Sequence, residues 1–388
     1  MRKFCSLFLI LILLGAVLLD RAVFAGSDNP ETHGGVPRFT LNEAILTALQ
    51  RNPDIQRARQ EIERTKGLYL ELRADALPRL DATSGFSDSD PHLNHFTGDG
   101  GTGTRVDPVT GQISGRGFST VENSYNLRIQ ASQIIFAGGR VVSQIRSADF
   151  QRDAAYFAFR STIDSMIANV RTQFYQILLN RALIGVQEES VNLLRSQLQD
   201  QQNRFDAGTV PRFNVLQAQV ALSNQYPDLI SARNNYRISQ IQLARTIGLD
   251  FDPSRGDAAP LEAVGELRYE PRNIPIAAAI EIAKERRPFL AQQKANVLSN
   301  NAQVGVARSG FFPQISATGG SEFLSSPISN DIHDVRSGYV FGATGSWAIW
   351  DSGQTYGRLK QARAVLQESK ITYDDAVRQV ELEVQQAY

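Results

Sequence analysis

Few residues in this chain are equipped for chemistry. Four histidines, His33, His92, His95 and His333, are the obvious metal ligands and general bases. His92 and His95 stand three positions apart and could share a metal. They lie, however, in a tract rich in Gly, Ser, Thr and Asp with no cysteine or further histidine nearby, so a plain loop is the better reading. The run Gly100-Gly101-Thr102-Gly103-Thr104-Arg105 follows a calcium nonapeptide turn only until Arg105 takes the acidic position. HExxH, P-loop and GxSxG motifs are all missing, and Asp and Glu are scattered as on solvated helix faces or a polar lining. The expectation is therefore a protein that is not an enzyme, with no catalytic residue, cofactor or metal. The balance of 40 Lys+Arg against 40 Asp+Glu argues against a nucleic-acid partner.

The N-terminus carries Arg2 and Lys3, an apolar run over residues 7–19, and Val23-Phe24-Ala25 in the small-residue pattern of a cleavage site. Asp20 and Arg21 end the run short of the ~20 apolar residues that a spanning helix needs. A secretory signal peptide over 1–25 is expected. Its removal would take away Cys5, the single cysteine, leaving packing and assembly to stabilise the exported chain.

The elements that must position any functional residue come twice. "EAILTALQRNPDI…DALPRLDATSGF" aligns with "AAIEIAKERRPFL…GFFPQISATGGS", placing Pro53 on Pro288 and Pro78 on Pro313. "YNLRIQASQIIFAGGR" aligns with "YVFGATGSWAIWDSGQ", placing Tyr125 on Tyr339 and Gly139 on Gly353. Each half reads helix, strand, loop, strand, long helix. The first repeat is expected over 26–250, with helices at 40–77, strands at about 78–88 and 122–136, and a long helix pair at 140–205 and 212–248. A linker over 251–274 leads to a second repeat over 275–388, with helices at 275–310, strands at about 313–324 and 337–350, and a helix at 354–388.

Thr40 and Glu43 form a capping box, and Pro53 restarts the helix in its first turn. Apolar residues from 145 to 205 recur in steps of three, four or seven, the pattern of a coiled-coil seam. At 1.5 Å per residue such a helix runs to roughly 100 Å. A second stripe follows through Val215, Leu216, Val220, Tyr226, Ile230, Tyr236, Ile241, Ala244 and Ile247, with Pro227 as an expected kink. The strands alternate with period two. Tyr125, Leu127, Ile129 and Ala131 share one side, with Asn126, Arg128 and Gln130 on the other; Phe341 and Thr344 part in the same way. Segments of about ten residues, apolar on one side and small or polar on the other, are the signature of a membrane β-barrel. Asn126, Arg128, Gln130 and Thr344 are then expected to line its lumen. Four strands cannot close a barrel in lipid, so several chains must complete it; three would supply twelve strands.

The sequence resembles the TolC-like outer-membrane efflux family. The likeness rests on "LNEAILTALQRNPDIQ", "ALPRLDATSGF", "QASQIIFAGGR", "RFDAGTVPRFNVLQAQ", "FFPQISATGG", "WAIWDSGQ" and "ELEVQQAY", in order along nearly the whole chain. The resemblance implies an α+β membrane protein and a homotrimer. Its twelve-stranded barrel would sit in outer-membrane lipid and a tube of antiparallel coiled-coil helices would cross the periplasm. It implies a passive exit duct for efflux or type I secretion, coupled to a periplasmic adaptor, a membrane fusion protein, and an inner-membrane pump or ABC transporter.

Gly208 can end one helix in the left-handed conformation and Pro211 can start the next. In the resembling family this turn, here Ala207, Gly208, Thr209, Val210, Pro211, Arg212, Phe213 and Asn214, is the periplasmic tip that meets the adaptor. The family commonly has Asp at the position of Asn214, which removes a carboxylate from any salt bridge there. By the repeat alignment Phe174 matches Tyr388, so about seventy further residues and a second tip are expected beyond the sequence given, along with the pore-narrowing carboxylates. Leu359, Ala362, Leu366 and Val377 are expected to lack a partner helix. A periplasmic coiled-coil adaptor or scaffold is the alternative, and it leaves the paired alternating strands unexplained. A secreted hydrolase lacks any candidate nucleophile.

Overall fold

The structure, a computed structural model, describes residues 36–88, 105–106, 113–114, 123–250, 259–268, 271, 274–325 and 334–388. The expected signal peptide, all four histidines and most of the glycine-rich stretch between the first two strands lie outside these residues.

The chain opens with β1 (Arg38–Phe39), α1 (Leu41–Arg51) and α2 (Pro53–Ala74). Next come β2 (Arg79–Asp88), the short pair β3 (Arg105–Val106) and β4 (Ile113–Ser114), and β5 (Asn123–Ala137). The helices α3 (Arg140–Asp206) and α4 (Arg212–Thr246) follow, then β6 (Glu262–Ala263). α5 (Ile276–Arg286), α6 (Pro288–Arg308), a 3-10 turn at Ser309–Phe311, β7 (Gln314–Ser325), β8 (Val335–Ser346) and α7 (Gln354–Ala387) complete the described order. α3 has 67 residues, which at 1.5 Å per residue makes it about 100 Å long.

Local chemistry sets the helix starts. The Thr40 amide donates to Glu43 Oε2 at 2.8 Å and the Glu43 amide donates to Thr40 Oγ1 at 3.4 Å, which closes the capping box. The Thr40 backbone amide, seconded by its hydroxyl, holds the Glu43 carboxyl below its ordinary range. Asn52 caps α2 by accepting from the Asp54 and Ile55 amides, while its Nδ2 donates to Thr246 O at 2.7 Å. One buried side chain thus serves the start of α2 and the end of α4 together.

The main core lies midway along α3 and at the end of α4. Ala44 and Ala48 of α1, Ile55 of α2, Val170, Phe174 and Ile177 of α3, and Leu243 and Ile247 at the end of α4 are all buried there. The stretch expected as a linker contributes to it. Leu261 and Ala263 are fully buried, β6 pairs in parallel with β1, and Arg38 bridges to Glu262 at 2.8 Å. Arg181 donates to the carbonyls of Ala263 and Gly265, and Gln240 to that of Leu261, so this segment straps across the helix pair.

Three expectations change. Of the α4 stripe, Leu216, Val220, Tyr226 and Ile230 are 40–57% exposed, because α4 turns Val215, Leu229, Leu243 and Ala244 inward; it carries two apolar faces where one was expected. The last helix is not bare: Leu359 is buried and Ala362, Leu366 and Val377 are half-buried, since α5 and α6 of the same half cover that side. Lys284 to Glu381 and Arg287 to Glu383, both at 2.7 Å, pin it there. Third, β8 ends at Ser346, short of the expected 350, since β7 begins opposite Ser346 and offers nothing further to pair.

The α4 helix ends in a Schellman motif: the Gly248 amide donates to Arg245 O and the Leu249 amide to Ala244 O. Gly248 has φ +71°, and a Cβ there would stand 2.7 Å from Arg51 O. Gly248→Ala should therefore cost about 1–3 kcal/mol, from the left-handed backbone and the displaced α1 end. The thermal midpoint of the far-ultraviolet circular dichroism of the detergent-purified protein should fall; an unchanged midpoint would refute this close approach.

Candidate functional site

Two surfaces carry the residues singled out by sequence. The first is the antiparallel sheet β2-β5-β7-β8. Residues directly opposite one another share a face, so the register sorts the side chains. Arg128 stands opposite Thr83 and Glu322; Gln130 opposite Asp81 and Gly320; Asn126 opposite Gly85 and Leu324. Ile134, Ser316 and Thr344 form a further row of the same face. Asn126, Arg128, Gln130 and Thr344 therefore share one side, with Asp81, Thr83 and Glu322 among their neighbours. The other side holds Leu80, Leu127, Ile129, Phe323, Tyr339 and Phe341.

On the polar face Arg128 Nη2 approaches Glu322 Oε1 at 2.5 Å, joining β5 to β7 and so the first half to the second. The Arg128 side chain is 49% exposed, so the pair adds no more than about 1 kcal/mol. On the apolar face Tyr339 and Phe341 are 80% and 77% exposed, with ring centroids 5.7 Å apart. A soluble protein seldom leaves such a face open; lipid is the solvent that suits it. A β-bulge at Ile135 shifts the register where β5 meets the start of β7.

The second surface is the turn between α3 and α4. The Gly208 amide donates to Phe205 O and the Thr209 amide to Arg204 O, both at 2.9 Å, a Schellman closure with Gly208 at φ +70°. The Thr209 hydroxyl donates to the same Arg204 carbonyl at 2.8 Å, which no sequence pattern had indicated. Pro211 caps α4 in an extended conformation and accepts from the Asn214 amide at 3.0 Å. Ala207, Gly208, Thr209, Pro211, Arg212 and Phe213 are exposed, whereas Val210 and Asn214 are half-buried. Phe213, the one aromatic residue of this turn, is 69% exposed. Among the described residues no three His, Cys, Asp or Glu side chains gather as metal ligands would.

A two-faced antiparallel sheet joined to helices of this length defines an outer-membrane channel fold. The chain belongs to the family described as outer membrane efflux protein, which it matches over residues 44–249 and 279–388. The solvent efflux pump outer membrane protein SrpC of Pseudomonas putida is 22% identical over 339 residues, 87% of this chain and 67% of that protein. Outer membrane protein TolC of Escherichia coli K12 is 26% identical over 208 residues, 54% of this chain and 40% of its own length. Among solved structures, the Campylobacter jejuni CmeC outer membrane channel superposes with a TM-score of 0.71 at 18% identity, covering 87% of this chain and 68% of that one. The open-state Neisseria gonorrhoeae MtrE channel gives 0.61 at 21% identity, covering 87% and 70%. The chain thus spans about two thirds of SrpC and less of TolC. Its place is the outer membrane, with the helical part in the periplasm.

Gly208 tests the turn geometry in isolation, because nothing lies within 4 Å of where its Cβ would stand. Gly208→Val should strain only the turn, by about 1–3 kcal/mol. Limited proteolysis between residues 204 and 213 should become several-fold faster while the heat resistance of the rest stays unchanged; equal cleavage rates would show that the turn does not depend on the left-handed glycine.

Proposed function

We propose that this chain is one subunit of a passive exit duct that carries small molecules or a secreted protein from a periplasmic assembly to the exterior. Three copies close a twelve-stranded barrel, four strands from each, around the face bearing Asn126, Arg128, Gln130 and Thr344. The α3–α4 hairpins extend this duct through the periplasm, and residues 207–214 at their tip dock a periplasmic adaptor, itself bound to an inner-membrane pump or ABC transporter. The observation that carries this reading is the sheet. It is polar on one face and apolar on the other, and among the described residues the outer edges of β2 and β8 have no partner strand. Similarity to proteins named as outer membrane components of solvent, toluene and antibiotic efflux pumps supports an efflux role. A periplasmic scaffold, the competing reading, would have no use for an open apolar sheet face.

The test is made on the protein in its own outer membrane. The protein should sediment with the outer membrane and, once purified, produce discrete conductance steps in a planar bilayer; recovery as a soluble periplasmic protein would favour the scaffold. Single cysteines replacing Asn126, Arg128, Gln130 or Thr344 should react with a membrane-impermeant thiol reagent, and those replacing Leu127 or Phe341 should be protected by lipid. The reverse pattern would turn the sheet inside out. Crosslinkers at Thr209 or Arg212 should capture an adaptor in cells; their failure would remove the docking role while leaving the channel.

A further inference from the structure

The strand that stops early, β8, points to how neighbouring copies join. Within the chain, β5 of the first half pairs with β7 of the second, and this pairing continues past Ser132, opposite the first residue of β2, through the Ile135 bulge to Phe136 opposite Ile315 and Ala137 opposite Gln314. The two hairpins share one register under the alignment of the halves. Arg79 opposite Ser132 in the first corresponds to Gln314 opposite Ser346 in the second. Side-chain contacts correspond as well: Gln133 Nε2 donates to Ala76 O, and its counterpart Trp347 donates through Nε1 to Phe311 O, both at 3.2 Å. Both long helices then begin after two left-handed residues, Gly138-Gly139 before α3 and Ser352-Gly353 before α7.

From this correspondence we propose that β8 of one copy pairs antiparallel with β2 of the next in the register that sets Ser346 opposite Thr83 of the neighbouring copy, and that this pairing extends β8 through residues 347–351. The inference rests on closure of the barrel by several copies and specifies how they meet. Carrying the β5–β7 register across puts Thr344 opposite Gly85, Trp350 opposite Leu80 and Asp351 opposite Arg79, with Ile349 taking the bulge position of Ile135. The faces agree without adjustment: Thr344 meets Gly85 on the polar side and Trp350 meets Leu80 on the apolar side. A slip of one residue would mix the two faces along the whole junction. The exposures fit the same geometry. Trp350, Ile349 and Leu80 are 86%, 80% and 72% exposed in the single chain, whereas Phe136 and Ile315, which already meet in the corresponding in-chain positions, are 43% and 39% exposed. Arg79, bridged to Asp81 at 2.8 Å and 79% exposed at its side chain, is placed to turn to Asp351.

Cysteine pairs in the full-length protein test the register, since Cys5 is the only cysteine in this sequence. Within one chain, residues 83 and 346 lie on the outermost strands, three strand spacings apart across the sheet and eight residues apart along it, about 30 Å in all and beyond disulfide reach. Any disulfide in a Ser346→Cys, Thr83→Cys double variant must therefore join two copies. Mild oxidation in membranes should give about tenfold more covalent dimer and trimer for this pair than for Ser346→Cys with Asp81→Cys, two residues out of register, or with Ser84→Cys, on the other face. Equal or greater yield from either control would overturn the register. So would an absence of disulfides in all three while an amine crosslinker still captures trimers. If the amine crosslinker finds only single chains, the multi-copy barrel itself is wrong, and the inference falls with it.

Discussion

An unpaired strand edge is tolerable in water and prohibitive in hydrocarbon, where each bare amide or carbonyl costs several kcal/mol. That constraint governs this chain more than any side-chain contact. Among the described residues its main sheet has four strands, too few to curl back on themselves, and the outer strands β2 and β8 belong to different halves of the sequence. The central β5–β7 seam already joins the two halves inside one chain. Internal duplication therefore supplies one junction of the type needed, and in the proposed duct repetition of the subunit would supply the rest. A barrel built in this way has no terminal strand to protect.

Below the sheet the organising element is α3, against which α1, α2, α4 and α6 all pack. Its contact with α6 runs through small residues: Ser147 meets Ser299, and a Cβ on Gly305 would stand 2.6 Å from Ser143 Oγ. Small side chains let the two backbones approach closely. The approach is kept in register by a buried polar cluster in which Ser147 Oγ lies 3.0 Å from Ser299 Oγ and accepts from Gln303 Nε2 at 2.9 Å. A cluster satisfied in one alignment only penalises sliding by a turn, because a slip would leave its hydroxyls buried without partners. The same α3 begins directly after β5, so a fixed α3–α6 register also fixes where the strands above can meet.

Patterns of short period were legible in the sequence, and contacts between distant segments were not. The capping box at Thr40 and Glu43, the glycine turn at 208 and the sorting of Arg128 from Leu127 all depend on residues within a few positions of one another. The strap at Leu261 and Ala263 was read as linker because two buried apolar residues make no periodic signal. Its partners, Arg181, Gln240 and Phe39, are distant in sequence. Outward-facing Leu216, Val220 and Ile230 were merged with the inward stripe of α4 because a helix apolar on two faces has a blurred period. Both misreadings arise at surfaces where this chain meets another part of itself or is built to meet another helix.

The two kinds of surface also differ in how they respond to load. Strand pairing is close to all-or-none, since opening one junction exposes a full row of backbone groups to lipid. The exposed face of α4 is graded. Leu216, Val220, Tyr226 and Ile230 would each contribute about 1.5–3 kcal/mol if wholly covered, in increments that a rolling or sliding helix can give up one at a time. Burial of this size must also offset the ordering of the side chains involved, so the net gain per helix is smaller than the gross figure. In the proposed assembly, movement is therefore cheapest far from the sheet, towards the Gly208 turn, where α3 and α4 have lost the support of α2 and α6. The parts of the fold with the fewest contacts of their own are then those left free to answer to a partner.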